Sequence, residues 1–326
     1  MAVYGILVWL AYGLLTTSPL HPFTFSHLLQ LASLALSTFL MVVLNNSNAL
    51  IRTYSRTASA TFIALNCMLC FLFDSLSGAI VGVCILALYL CAFRIYQDKQ
   101  SPGWAFYAFL CLGFASLLFP VLLLFIPVFW LFMRFQLNSL SWRTFLASLL
   151  GLLTPYWFLL AYMLWQNDFS FIQDMIQSVE FRVESVERAT VIPSADGTAA
   201  ANSSLFTLHS SLYNSSPFHL FSYLWITILT LTGIIHFWRH VLADKIRTRQ
   251  FYGCFIWMSL LCIVAIPLLP QHFDPLIRLL IINASPLIAH FLTLTHTRIT
   301  DIAFKVICVI TLLLTLLNLW TPSLTF

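Results

Sequence analysis

Asp274 and Arg278 stand four positions apart in FDPLIRLLII, so on a helix they lie one turn apart on one face. Arg278 sits inside an apolar run. An ionisable side chain there is a candidate for function, because a bare charge is costly to bury. Its planar guanidinium could clamp a phosphate or carboxylate through two parallel hydrogen bonds, or simply pair with Asp274. Farther along, NASP (283–286) places Asn283 before a helix-breaking Pro286. A proline there leaves a backbone carbonyl that a neighbour or water must satisfy, so a polar break lining a cavity is expected. Arg278, Asp274 and Asn283 are the candidate substrate-binding residues. The candidate carboxylates for general-base work are Asp74, in FLFDSLSG, and Glu184, which shares one flank with Glu180 and Glu187. The structural alternatives are that Asp74 caps the next helix and that Glu184 belongs to a solvated face, paired with Arg188 at i, i+4.

Two further patterns resemble metal ligation. HFWRH sets His236 and His240 one turn apart, and CMLC sets Cys67 and Cys70 three positions apart. A metal enzyme needs more ligands than either pattern supplies. No cytoplasmic carboxylate stands at ligand spacing beside the histidines, which read as interfacial residues with Trp238. The cysteines, like the other six, fall within apolar runs and read as packing. No metal or cofactor is expected.

These residues are carried on an apolar chain. Of its 326 residues 60% are hydrophobic and 8% charged, against roughly 25% charged in soluble domains. Apolar stretches near the ~20 residues that cross a bilayer as a helix recur from end to end. The fold class expected is all-α, a polytopic transmembrane bundle of eleven spans: 2–17, 28–46, 58–73, 76–95, 103–119, 121–135, 143–166, 219–238, 251–269, 275–293 and 302–320. No cleavable signal peptide is evident at the start, and 2–17 reads as the first span. Residues 1–166 hold the first seven spans and 219–326 the last four. Between them, 167–218 forms one extramembrane loop. Within it, 170–189 has an apolar stripe of Ile172, Met175, Ile176, Val179, Val183 and Val186 that predicts an amphipathic helix on the membrane surface.

Pro120 and Pro127 leave 103–135 open to two readings, one kinked helix or a hairpin of two short ones. Charge decides for the hairpin. With eleven spans, twelve of the fifteen Lys and Arg residues fall on one side, leaving Arg182, Arg188 and Arg278 on the other. Basic flanks stay cytoplasmic, so the amino terminus is expected inside and the carboxyl terminus outside. Eight of the eleven acids then face out. The net +4 is spread thinly over the inner loops, which excludes a nucleic-acid stripe and suits contact with membrane lipids.

The stretch AFLCLGFASLLFPVLLLFIPVFWLFMRFQLNSLSWRTFLASLLGLLTPYWFLLAYMLW (105–165) resembles the central region of integral membrane glycosyltransferases of the C superfamily, with a proline-punctuated hairpin, an arginine in the turn, then Gly151 and Pro155 in GLLTPYW. With LNNSNALIRTYSRTA (44–58) and INASPLIAHF (282–291), the whole chain resembles an uncharacterised family of polytopic inner-membrane proteins of Bacteroidota. The first resemblance implies a glycosyltransferase-C-like helical arrangement and a polyprenyl-phosphate-linked sugar substrate handled at the outer face. The chain departs from it in two places. The first outer loop, SPLHPFTFSH, lacks the acidic pair of those enzymes, and no lysine stands just before Pro120. Catalysis would then fall to Asp74 or Glu184. Without catalysis, the protein would be a transporter or a scaffold for a membrane protein partner.

Overall fold

The computed structural model describes residues 1–16, 25–51, 55–166, 217–240, 245–294 and 298–320, and among them every regular element is helical. The helices are α1 (Ala2–Thr16), α2 (Phe25–Asn48), α3 (Thr57–Met68), α4 (Leu76–Arg94), α5 (Pro102–Leu118), α6 (Ile126–Leu131), α7 (Trp142–Gln166), α8 (Pro217–His240), α9 (Ile246–Leu268), α10 (Phe273–Leu294) and α11 (Arg298–Trp320). Seven of them, α2, α4 and α7 to α11, are long and apolar enough to cross a membrane, and four shorter apolar segments of 10–17 residues accompany them. The chain is a multi-pass helical membrane protein. Its outer faces carry Trp157, Phe158 and Trp165 at 67–86% exposure, which in water would be an aggregating surface and in hydrocarbon is a neutral one.

All eleven apolar stretches are helical, but two are not simple α-helices. The third is α3 followed by a 3₁₀ turn, Cys70–Phe73. The sixth is a 3₁₀ segment, Pro120–Phe125, then α6, then a π-helical turn, Phe132–Gln136. Pro120 and Pro127 remove two N–H donors within eight residues, so the regular ladder cannot form there. The 120–136 segment folds back beside α5. The Gln97 N–H donates to the Leu137 carbonyl at 2.9 Å, and the Ser141 hydroxyl to the Lys99 carbonyl at 3.1 Å. The hairpin reading of the prolines is therefore the one adopted.

These contacts define two ends. Arg94, Lys99, Arg134, Arg143, Lys245, Arg247 and Arg249 gather at the basic end. The close of α1, the α3–α4 connection and the starts of α8 and α10 meet at the other, acidic end, where His219 stacks on Phe71 at 4.2 Å between ring centres. At the centre runs α10, with every residue from Pro275 to His290 buried. Helices α3, α4, α8 and α9 pack directly on it, α5 packs between α4 and α7, α2 packs on α3 and α4, and α1 and α11 pack on α3. The loop 167–216, with Glu184 and the amphipathic stretch 170–189, lies outside the described residues.

The expected break at NASP is absent. α10 continues through Pro286, and the polar side chains beside it turn back onto the helix itself. Asn283 Nδ2 donates to the Leu279 carbonyl and Ser285 Oγ to the Ile281 carbonyl, both at 2.6 Å. The Tyr252 and Thr61 hydroxyls reach the carbonyls of Pro286 (3.4 Å) and Ser285 (3.1 Å) from neighbouring helices.

Candidate functional site

The acidic end holds a cluster built around Arg278. Asp274 lies in the first turn of α10, where a carboxylate is favoured by the helix dipole, and Arg278 follows one turn deeper. Arg278 Nε donates to Asp274 Oδ1 at 2.9 Å. Its Nη2 donates to the carbonyl of Leu72 and, at 3.4 Å, to that of Ser75. The Leu72 carbonyl is available because the 3₁₀ turn Cys70–Phe73 ends α3 early and leaves it without a helical partner, whereas the Ser75 carbonyl also accepts from the Ala79 N–H at 3.2 Å. One guanidinium thus ties the central helix to the α3–α4 connection.

A glycine makes this approach possible. A Cβ built on Gly78 would fall 2.5 Å from both Arg278 Nε and Asp274 Oδ2, far inside van der Waals contact. The same first turn of α4 is capped by Ser75, whose Oγ accepts from the Gly78 N–H at 3.0 Å. Asp74 is therefore not the cap. Its Oδ2 accepts from the Tyr12 hydroxyl at 2.7 Å, which ties α1 to the same connection. Partial burial raises the Asp74 carboxyl above the ordinary aspartate range, and the Tyr12 hydrogen bond pulls it partly back.

Beneath Arg278 lies a cavity of about 30 Å³ between α2, α3, α4 and α10, lined in part by Gln30, Ser33, Ser37, Asn66 and Gly82. Ser33, Ser37 and Asn66 spend their donors on carbonyls of their own helices. Arg278 and Gln30 keep capacity toward the cavity. Buried Gln30 Oε1 and Asp274 Oδ2 accept no hydrogen bond among the described residues. Since a water needs roughly 10–15 Å³, the cavity suits one or two waters and nothing larger.

Of the five candidate site residues, the structure brings together Asp74, Asp274 and Arg278. Glu184 falls outside the described residues. Asn283 is held elsewhere, accepting from the buried Tyr89 hydroxyl at 2.6 Å, and does not line the Arg278 cavity. Sequence reasoning missed Gly78, Tyr12 and Gln30. The small residues of SLSG were a signal for close approach; nothing marked Tyr12 or Gln30, which are ordinary residues of apolar helices.

Of the two histidines of HFWRH, His240 is exposed at the end of α8, in keeping with an interfacial residue, whereas the other is not. His236 is buried, 4.6 Å from His240 and 5.6 Å from the wholly buried His290 between ring centres, amid Phe237, Tyr252 and Phe291. Helix α10 covers the face of α8 that carries His236, whereas His240 and Trp238 are exposed. No group of three His, Cys, Asp or Glu side chains able to hold a metal occurs among the described residues. Cys67 and Cys70 are free, buried thiols, and Cys70 Sγ reaches the Cys67 carbonyl.

No protein-family model, curated protein or solved structure matches the chain.

Proposed function

We propose that the protein belongs to the inner membrane of a bacterial cell envelope and handles a lipid or a polyprenyl-phosphate-linked glycan at its outer face, with Arg278 as the charge that an anionic headgroup meets. The observation that carries this reading is a buried arginine whose one acidic partner among the described residues, Asp274, is one-quarter exposed at the mouth of the cluster and leaves Oδ2 unsatisfied. Rotation of Asp274 toward solvent would open Arg278 to a phosphate, which offers more acceptor oxygens than a carboxylate. Exposed Asp74, two residues beyond the Leu72 carbonyl, is the carboxylate next to that opening. The resemblance of residues 105–165 to glycosyltransferases of the C superfamily supports a lipid-linked sugar as the substrate class.

The test is lipid identification. Protein purified into nanodiscs should retain an anionic lipid or lipid-linked sugar that the Arg278→Met/Asp274→Asn pair loses. A retained-lipid profile identical for both proteins and for empty discs refutes the reading.

A second reading, a non-enzymatic scaffold or transporter subunit, is favoured by the water-sized cavity and by the protein acceptors already engaged by Arg278. It predicts a stoichiometric membrane protein partner whose co-purification survives the same double substitution.

A further inference from the structure

At the basic end, on the outer surface of the bundle, two open grooves adjoin. One, of about 710 Å³, runs between α6 with its π turn and α9, and is lined by apolar side chains including Leu131, Phe135 and Val264. The other, of about 600 Å³, lies between α8 and the start of α9, and its lining includes Trp238, Arg249 and Gln250. Gln136, Trp257 and Leu260 line both, so the two form one continuous channel, apolar along one arm and bearing Arg249 and Gln250 among apolar side chains along the other, polar arm.

The polar arm is poised for a negative charge. Arg247 is committed to the rings of Tyr96 and Phe251, with its guanidinium 5.8 and 5.3 Å from their centres. Arg249 makes no ion pair or hydrogen bond among the described residues, and neither does the side chain of Gln136 or Gln250. Gln136 is seated in the channel because Gly253 leaves room. A Cβ there would lie 2.7 Å from Gln136 Oε1. The first turn of α9 also carries no side-chain cap, so its amides add positive potential beside Arg249.

We propose that this channel binds one anionic phospholipid of the surrounding bilayer, its phosphate on Arg249 and Gln136 and an acyl chain along α6 and α9. A cation and two amides without partners at one end of a long apolar trough complement an amphiphile with a negative head. The trough opens on the lipid-facing surface and ends among Lys245, Arg247 and Arg249, where acidic headgroups collect. The channel is at the opposite end of the bundle from Arg278, so its occupancy is independent of the function proposed above.

Native mass spectrometry of the full chain, titrated with phosphatidylglycerol and phosphatidylcholine, tests this. Phosphatidylglycerol should bind as one tight equivalent ahead of phosphatidylcholine. Arg249→Gln should weaken that equivalent about fivefold, the effect of one basic contact near the surface, and remove the preference. Arg143→Gln, an exposed cation at the same end, should leave it unchanged. Leu260→Trp, which fills the shared segment, should weaken both lipids alike. Monodispersity of each variant establishes folding. Equal losses in Arg143→Gln and Arg249→Gln, no preference in the wild type, a stronger Arg249-dependent preference for a polyprenyl phosphate, or a dimer that protects the channel would each overturn the proposal.

Discussion

The Arg278 cluster turns on a residue with no side chain. Gly78 permits the approach of a charged pair, and Gly82, one turn on, faces open space with nothing within 4 Å of a built Cβ. The two glycines should respond in opposite directions to the same methyl group. Gly78→Ala forces the Arg278–Asp274 pair apart and should lower thermal stability in detergent by roughly 1–3 kcal/mol, whereas Gly82→Ala should be neutral or stabilising by up to ~1 kcal/mol through helix propensity. Similar unfolding temperatures for the two variants would show that the Arg278–Asp274 pair moves aside without cost. The pair itself should be more costly to break than to replace. Arg278→Met strands Asp274 and leaves the Leu72 carbonyl without its donor, at roughly 3 kcal/mol, and adding Asp274→Asn should recover about half of that loss. Additive losses in the double variant would mean that Arg278 acts through its carbonyl contacts alone. None of this geometry was readable beforehand. The sequence shows Asp274 and Arg278 on one face, but the acceptors at Leu72 and Ser75 lie some two hundred residues away, and a glycine announces room without saying what fills it.

Elements were far more legible than contacts. Apolar length alone located eleven helical stretches, because a backbone in hydrocarbon must satisfy its own hydrogen bonds and helices do so locally. The prolines at 120 and 127, together with the charge count, gave the hairpin. The same logic failed at NASP, where Asn283 and Ser285 bond back to their own helix and no gap opens, and in part at HFWRH, where His240 is exposed but His236 is buried against α10. Periodicity reports which residues share a face and is silent on which helix covers it. Packing between α5 and α7 supplies a prediction at this scale. A Cβ on Gly151 would strike the Phe106 carbonyl, and one on Gly113 would sit 2.9 Å from the Leu152 carbonyl. Backbone cannot yield as a side-chain tip can, so helices joined by such small residues lose their contact when one is enlarged. Gly151→Ala should cost roughly 1–3 kcal/mol and increase protease cleavage between α5 and α7, while Gly103→Ala, open on all sides, should change neither. Equal cleavage of the two variants would show that the helices separate without penalty.

Across the whole molecule the charges sort by end. Among the described residues Asp74 and Asp274 lie with Arg278 at one end, and eight basic side chains from Arg94 to Arg249 lie with Asp98 at the other. During insertion lysine and arginine near span ends are retained in the cytoplasm, so the basic end should face the cytosol and the acidic end, where α7 closes and α8 begins, should face the periplasm. That sidedness governs every functional statement made of Arg278. A headgroup arriving at the outer leaflet reaches it only if the acidic end faces outward, and the phospholipid channel at Arg249 meets the inner leaflet only on the same condition. Two single cysteines on a background lacking the eight native ones decide it. Glu184→Cys should react with a membrane-impermeant maleimide in intact cells, and Lys245→Cys only after the inner membrane is opened. The reverse order would invert the protein and move Arg278 to the cytosolic leaflet. Reaction of both from one compartment would make the number of crossings between them even, so α8, the long apolar helix that lies between the two positions, would either not cross the membrane or be matched by a second crossing.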